Sequence, residues 1–506
     1  NWTIDGKSIC TASTLTFSAD EAGRYFILIS ATNAGGTTEK EIRIDVFQLD
    51  IPTISIADAD KGFKVLQGSE LTITPIVDSF LETSYSWQIN GEDISNELTC
   101  TLPTIELGEY QVRFATHNED GDDEVTFKVE VCSPDQVDFN WTFLQTEYNM
   151  SAGRTIRIKP VDVNNALDAV YTWTVDNEQV QSGENDTYLF TSGQQGEHTV
   201  KVEMKNSYIL ATQTLKVNVC PPAGTYQRKI SATSSASMNK VYEYLPAPGQ
   251  FINENHTTTT MAEACTYAEE RINQTAYVSL GGFGGYIIVG FDHSIVNDGD
   301  YNIAITGNAF DGSSEPGIVW VMQDENGDGL PNDTWYELRG SEYGKAETWQ
   351  DYAVTYHKPT GIQLPTPWTD NHGQSGSIDY LGAFHRQDYY FPAWVKEKQY
   401  TLRGTRLKER NYDQSGNGTY WVNDSYEWGY ADNFSAIDRL TDDDNYNAGP
   451  SDNHFKISHA VTFDGKDANL KYVDFIKVQV GVNSKSGWLG EISTEVFGIK
   501  DFNMLK

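Results

Sequence analysis

The chain has 506 residues and sets 36 Lys and Arg against 72 Asp and Glu, a formal net charge of −36 at pH 7. That length exceeds a single hydrophobic core, which stops growing at roughly 250 to 300 residues, so several domains are expected. The charge excludes nucleic acid and anionic lipid head groups as partners and favours cations, while the richness in Tyr, Trp, Gly, Thr and Asn favours strands and turns over helices.

No apolar run reaches the roughly 18 residues of a membrane span, and Asn1 does not open a signal peptide. Five cysteines (Cys10, Cys100, Cys132, Cys220 and Cys265) are scattered without CxxC or His pairing, which argues against zinc and redox motifs. Their odd number leaves at least one thiol unpaired.

From the first residues onward the chain repeats itself with a spacing of about 85 residues. NWTIDGKSI around Trp2, SWQINGEDI around Trp87 and TWTVDNEQV around Trp173 are three versions of one strand and turn. A Gly-x-aromatic-or-His corner follows each, at Gly23 to Tyr25, Gly108 to Tyr110 and Gly196 to His198. Alternating strands come next: Tyr110, Val112 and Phe114 in the second copy, Val200, Val202 and Met204 in the third. An Asn then marks a turn (Asn33, Asn118, Asn206), and a closing strand such as Val125, Phe127, Val129 and Val131 ends the copy. Short strands, frequent turn signals and a buried mid-sheet Trp describe an immunoglobulin-like sandwich.

On these markers residues 1 to about 220 resemble the PKD family of bacterial surface modules. The expected modules are 1–49 (the second half only), 50–133 and 134–221, so the chain reads as a fragment of a longer protein. The resemblance implies a stalk. Pro221-Pro-Ala-Gly224 reads as a semi-rigid linker to a domain over 226–506.

That domain has no such period and holds eight of the 12 Trp residues. Thr260-Met-Ala-Glu263 is a capping box, and Met261, Ala264, Cys265, Ala268 and Ile272 recur at helical spacing up to Asn273. Strands are predicted at Tyr286 to Phe291, Tyr301 to Gly307, Gly317 to Met322, Tyr352 to His357, Thr401 to Arg406 and Val473 to Val482. The expected class is all-β: tandem PKD/Ig-like β-sandwich modules, then a larger β-sandwich or jelly roll with one or two helices.

Asp324-Glu-Asn-Gly-Asp-Gly-Leu-Pro-Asn-Asp333 is the sharpest motif. Oxygen donors from Asp324, Asn326, Asp328 and Asp333 and the Leu330 carbonyl have the spacing of a loop that wraps calcium; an Asx-rich turn satisfying its own backbone is the alternative. Asp442-Asp-Asp-Asn445 is a weaker acidic candidate. No G-x-S-x-G, no H-E-x-x-H and no zinc or triad spacing is present, so no enzyme is expected, although Glu315, Asp379 and Glu491 are free to form a carboxylate pair.

Val278-Ser-Leu-Gly-Gly282, Gly290-Phe-Asp-His-Ser294, Gly307-Asn-Ala-Phe310, Gly329-Leu-Pro-Asn-Asp-Thr-Trp-Tyr-Glu-Leu338 and Gly487-Trp-Leu-Gly-Glu491 together resemble the C-terminal domain of gut-bacterial cell surface lipoproteins, including those that capture vitamin B12. The resemblance implies a monomer held at the outer-membrane surface by an N-terminal lipid outside this chain. It further implies that the C-terminal domain binds corrinoid, with cobalamin as ligand and not catalytic cofactor, and works beside a TonB-dependent transporter. A glycan-binding surface protein or adhesin is the alternative. A corrin needs aromatic walls and convergent donors, and Trp368, His372, His385, Arg386, Tyr389, Tyr390 and Trp394, on an apparent long loop, offer them.

Overall fold

The computed structural model describes residues 1–4, 6–20, 23–46, 49–57, 59–79, 81–104, 106–133, 136, 141–163, 169–206, 210–255, 257–440 and 450–506. The acidic run 442–445 lies outside them. The chain is all-β apart from one α-helix and short 3-10 turns among the described residues. Two compact units divide it: Asn1–Phe63, Val77–Cys100 and Tyr110–Val129 in one, Lys64–Ile76, Thr101–Glu109 and Glu130–Lys506 in the other. Residues 134–221 and 226–506 both lie in the second unit.

In the first unit a four-stranded antiparallel sheet runs in the order Lys7–Cys10, Trp2–Ile4, Gly23–Asn33, Gly36–Val46. Phe26 is 45% exposed there, whereas Ile27 on the opposite face is buried. Another sheet places Glu92–Ser95, Ser84–Ile89, Gly108–Asn118 and Gly121–Cys132 side by side. Trp87 is buried at its centre, 4.6 Å from the Phe114 ring, and its Nε1 donates to Glu97 O at 2.9 Å. Asn118 turns the chain as expected: its Oδ1 accepts from the backbone N–H groups of Asp120 and Gly121.

The third module lies in the second unit. One sheet orders Glu147–Ser151, Leu210–Cys220, Gly196–Lys205, Val170–Val175 and Glu178–Gly183, and a facing pair joins Thr155–Ile158 to Tyr188–Thr191. Trp173 sits between them, opposite Val202 and stacked on Tyr188. Val200, Val202 and Met204 all point into this core, as their alternation requires. Gly196 opens its strand at φ +131, where a side chain is disfavoured, which explains the glycine of the corner.

The C-terminal domain is built on a six-stranded antiparallel sheet ordered Lys240–Leu245, Tyr286–Val296, Tyr472–Val480, Gly317–Met322, Trp335–Leu338, Ala460–Val461. One face packs Val289, Val319, Val321, Ile476 and Val478 against the three-stranded sheet Ser451–Phe455, Ile303–Gly307, Gly498–Asp501. The helix Met261–Asn273 closes the same core with Ala264, Cys265, Ala268 and Ile272. Thr260 caps it through Glu263 N, but Glu263 reaches back to Thr259 instead of Thr260. A four-stranded sheet, Ser375–Ile378, Thr366–Asp370, Trp349–His357, Gln399–Arg406, carries a second, aromatic core around Tyr352, Tyr356, Tyr390 and Phe391. The predicted class, tandem Ig-like sandwiches followed by a larger β-sandwich, is the one observed.

Candidate functional site

Strand alternation sends Val319, Val321, Ile476 and Val478 into the main core, so their neighbours emerge on the opposite face of the six-stranded sheet. There Trp320 pairs with Glu337 on one side and Lys477 on the other, which sets a carboxyl, an indole and an ammonium in one row. Lys477 Nζ lies 4.9 Å from the Trp320 ring centroid and 5.5 Å from those of Trp335 and Tyr286. The ring quadrupoles stabilise this cation in place of a carboxylate, since among the described residues Lys477 forms no ion pair. Glu337 Oε2 accepts from Thr405 Oγ1 at 2.6 Å.

Facing this row is the third module. Arg157 on the strand Thr155–Ile158 donates from Nη1 and Nη2 to the two carboxylate oxygens of Asp351, at 2.9 and 2.7 Å. The space enclosed is a cleft of about 430 Å³. Trp320, Trp335, Tyr336, Phe463, Arg403 and Lys477 line it from the sandwich, and Tyr148, Arg157 and Lys159 from the module. Aromatic walls with a few convergent donors in a volume of this order are what a small-molecule site requires. The third module thus forms one wall of the cleft.

Burial pushes the Lys477 ammonium down to about 8, against the opposing pull of Glu243 and Glu337. Burial likewise pushes Glu337 up to about 7, opposed by the Thr405 hydrogen bond and by Lys477. At the rim Asp333 is pushed up to about 8 and its neighbour Glu325 to about 7, both chiefly by burial. Arg154 Nε stands 3.3 Å from Glu325 Oε1, with side chains 18% and 1% exposed. Groups poised near neutrality around a cleft mark a functional-site candidate.

In the expected calcium loop, all but one of the Asp and Asn side-chain oxygens accept from the loop's own donors. Asp324 accepts from Gly327 N and Gly329 N, Asn326 Oδ1 from Asp328 N, and Asp328 from Leu330 N, Asn326 Nδ2 and Asn332 Nδ2. Asp333 Oδ2 accepts from Glu325 N, while its Oδ1 has no partner. Asp324, Asp328 and Asp333 do not gather oxygens within 4.8 Å of one another; among the described residues Glu315, Asp432 and Glu495 do.

The segment from Trp368 to Trp394 is not one long loop, since Thr366–Asp370 and Ser375–Ile378 form a hairpin. Its residues serve separate surroundings. Trp368 and Tyr390 belong to the aromatic core, Tyr390 being 2% exposed, and Trp394 packs beside Tyr244. His372 stacks on Trp349 at 4.2 Å, His385 Nδ1 is 2.6 Å from Glu254 Oε1, Arg386 Nε donates to Gly382 O, and the Tyr389 ring lies under Lys358. None of the seven lines the cleft; from that stretch Asn371 does. The cleft residues had a sequence signal of their own: Lys477 interrupts the strand YVDFIKVQV, and Trp320 and Trp335 stand where period-2 alternation puts the outer face.

Known proteins add to the fold and not to the site. No curated protein matches the chain. Similar solved structures include fibronectin(III)-like modules of CbhA from Clostridium thermocellum, 15% identical, covering 35% of this chain and 100% of that one at a TM-score of 0.18. Three N-terminal domains of the Hoc outer capsid protein of bacteriophage RB49 are 15% identical, covering 43% and 86% at 0.21. Titin domains Z1Z2 in complex with telethonin are 19% identical, covering 35% and 100% at 0.16. Residues 51–118 and 123–206 each match the PKD-like domain, so the chain carries tandem PKD/Ig-like modules, compatible with a surface adhesion or binding protein.

Proposed function

We propose that this chain is a surface-displayed ligand-capture protein whose cleft binds a corrinoid for delivery to an outer-membrane transporter. One observation carries the reading: Trp320, Trp335, Tyr336 and Phe463 meet Lys477, Arg403, Arg157 and Lys159 around a single cleft. A corrin offers a broad plane for the rings and an amide-studded edge for the donors. The likeness of residues 240–506 to B12-capturing surface lipoproteins supports the choice of ligand, and with it a lipid anchor, a TonB-dependent partner and a monomeric state. Catalysis is not part of the proposal. The test is gel filtration of the full chain with cyanocobalamin. Co-elution of the pink ligand with the protein is expected, and complete separation of the two would sink the assignment.

A glycan is the second reading, because the same rings can stack on sugar faces. Retardation in a polysaccharide affinity gel, with no cobalamin retained, would favour it.

A further inference from the structure

Away from the cleft, three acidic side chains converge inside the C-terminal domain. Glu315 lies in the connection before the strand Gly317–Met322, Asp432 in the loop that bridges Ala431 to Gly317, and Glu495 on the short strand Glu495–Val496. One oxygen from each lies within 4.8 Å of the other two. Asp432 is fixed by the backbone: its Oδ1 accepts from Asn308 N at 2.7 Å and Ala309 N at 2.8 Å, and its Oδ2 from Glu495 N at 2.9 Å. Three N–H donors favour its ionised form.

A second, independent observation is a missing partner. Glu495 is 4% exposed, yet its Oε1 has no hydrogen-bond partner. Nearby Glu491, 5% exposed, leaves Oε2 in the same condition. Burial and mutual repulsion push Glu495 and Asp432 up, and no Lys or Arg is among the main influences on any of the three. Buried carboxylates without a cation are costly, and an orphaned buried oxygen adds the desolvation penalty of an unmade bond. A proton shared between Glu315 and Glu495 removes one charge and supplies at most one hydrogen bond. A divalent cation offsets two charges and coordinates several oxygens at once.

We propose that Glu315, Asp432 and Glu495 hold a calcium ion that ties together three segments far apart in sequence. The donor set is oxygen only, with no His or Cys, which selects a hard cation. Calcium takes roughly six to eight oxygens in a flexible geometry, whereas magnesium keeps several of its waters and is seldom held by an all-protein cage, so three buried carboxylates suit calcium. The site is distinct from the 324–333 loop and from the cleft, so it stands or falls separately from corrinoid capture.

The experiment uses the full chain stripped with EDTA, titrated with calcium by calorimetry and followed by thermal melting. The wild type is expected to bind one ion here and to melt about 5 °C higher at saturating calcium. Glu495→Gln and Glu315→Gln should each weaken that binding at least tenfold, while Asp328→Asn leaves it unchanged. In EDTA, Glu495→Gln should melt at or above the wild type, because it removes a buried negative charge; this readout also shows that the variant folds. Absence of heat and of a melting shift, loss confined to Asp328→Asn, or an equal response to magnesium would each overturn the assignment.

Discussion

Lys477 lies directly across from Trp320 in the pairing of the strands Tyr472–Val480 and Gly317–Met322, with its ammonium 4.9 Å from the indole centroid. A cation is thus presented to the cleft on a platform of rings without a carboxylate beside it. Replacing it tests binding and folding in opposite directions. Lys477→Met retains the apolar stem and removes a partly desolvated charge, so it is expected to raise the melting temperature slightly while weakening ligand at least tenfold. Melting curves and a ligand titration on one preparation check both halves.

The same row predicts how stability follows pH. Glu337 titrates at about 7 in the fold against an ordinary 4.5, so the native state keeps a proton that the unfolded chain has released. Stability should therefore fall as pH rises from about 4.5 to 7. Lys477, lowered to about 8 from 10.5, works in reverse, and stability should recover between about 8 and 10.5. Glu337→Gln is expected to reduce the slope in the first window, to which Glu325 and Asp333 also contribute, and Lys477→Met to flatten the second, each by roughly 1–3 kcal/mol in denaturant unfolding across pH.

Arg154 and Glu325 form a buried pair between the third module and the C-terminal sandwich. Arg154→Met removes the cation that holds the Glu325 carboxyl down, so that Glu325 must take up a proton near pH 8, and it also removes the donors to Ala468 O and Gln323 Oε1; a cost of about 1–3 kcal/mol is expected. Adding Glu325→Gln should restore the part of that loss that comes from the unpaired carboxyl. A double-mutant cycle in guanidinium measures it.

Arg157 and Asp351, 34% and 51% exposed, make the contrasting case. Their coupling in stability is expected to stay below about 1 kcal/mol. For binding the module should matter more: Lys159→Ala is expected to weaken ligand several-fold with unchanged melting. Unaltered affinity in Lys159→Ala would return the module to a stalk.

The repeats were legible because their signal is local. Trp87 and Trp173, the alternating Val200, Val202 and Met204, and the corner glycine each report on the strand they occupy. The helix was legible for the same reason, through Thr260 and the spacing of Ala264, Ala268 and Ile272. The cleft was not, since Tyr148, Trp335, Arg403 and Lys477 meet only through pairings across most of the second unit. Glu315 is visible in the sequence as one of three free carboxylates, with Asp379 and Glu491, any two of which could pair. Asp379 instead pairs with Lys485 at 2.7 Å, and the fold brings Asp432 and Glu495 to Glu315. The segment from Trp368 to Trp394 drew attention by composition, yet aromatic density there builds a second core around Tyr352, Tyr356 and Tyr390.

The central claim is tested most directly by calorimetric titration of the full chain with cyanocobalamin, set beside Trp335→Ala and Lys477→Met. The account predicts saturable binding to the wild type and at least tenfold weaker binding to each variant, with the fold intact by melting. Equal affinity in all three proteins, or no heat from the wild type, would contradict it.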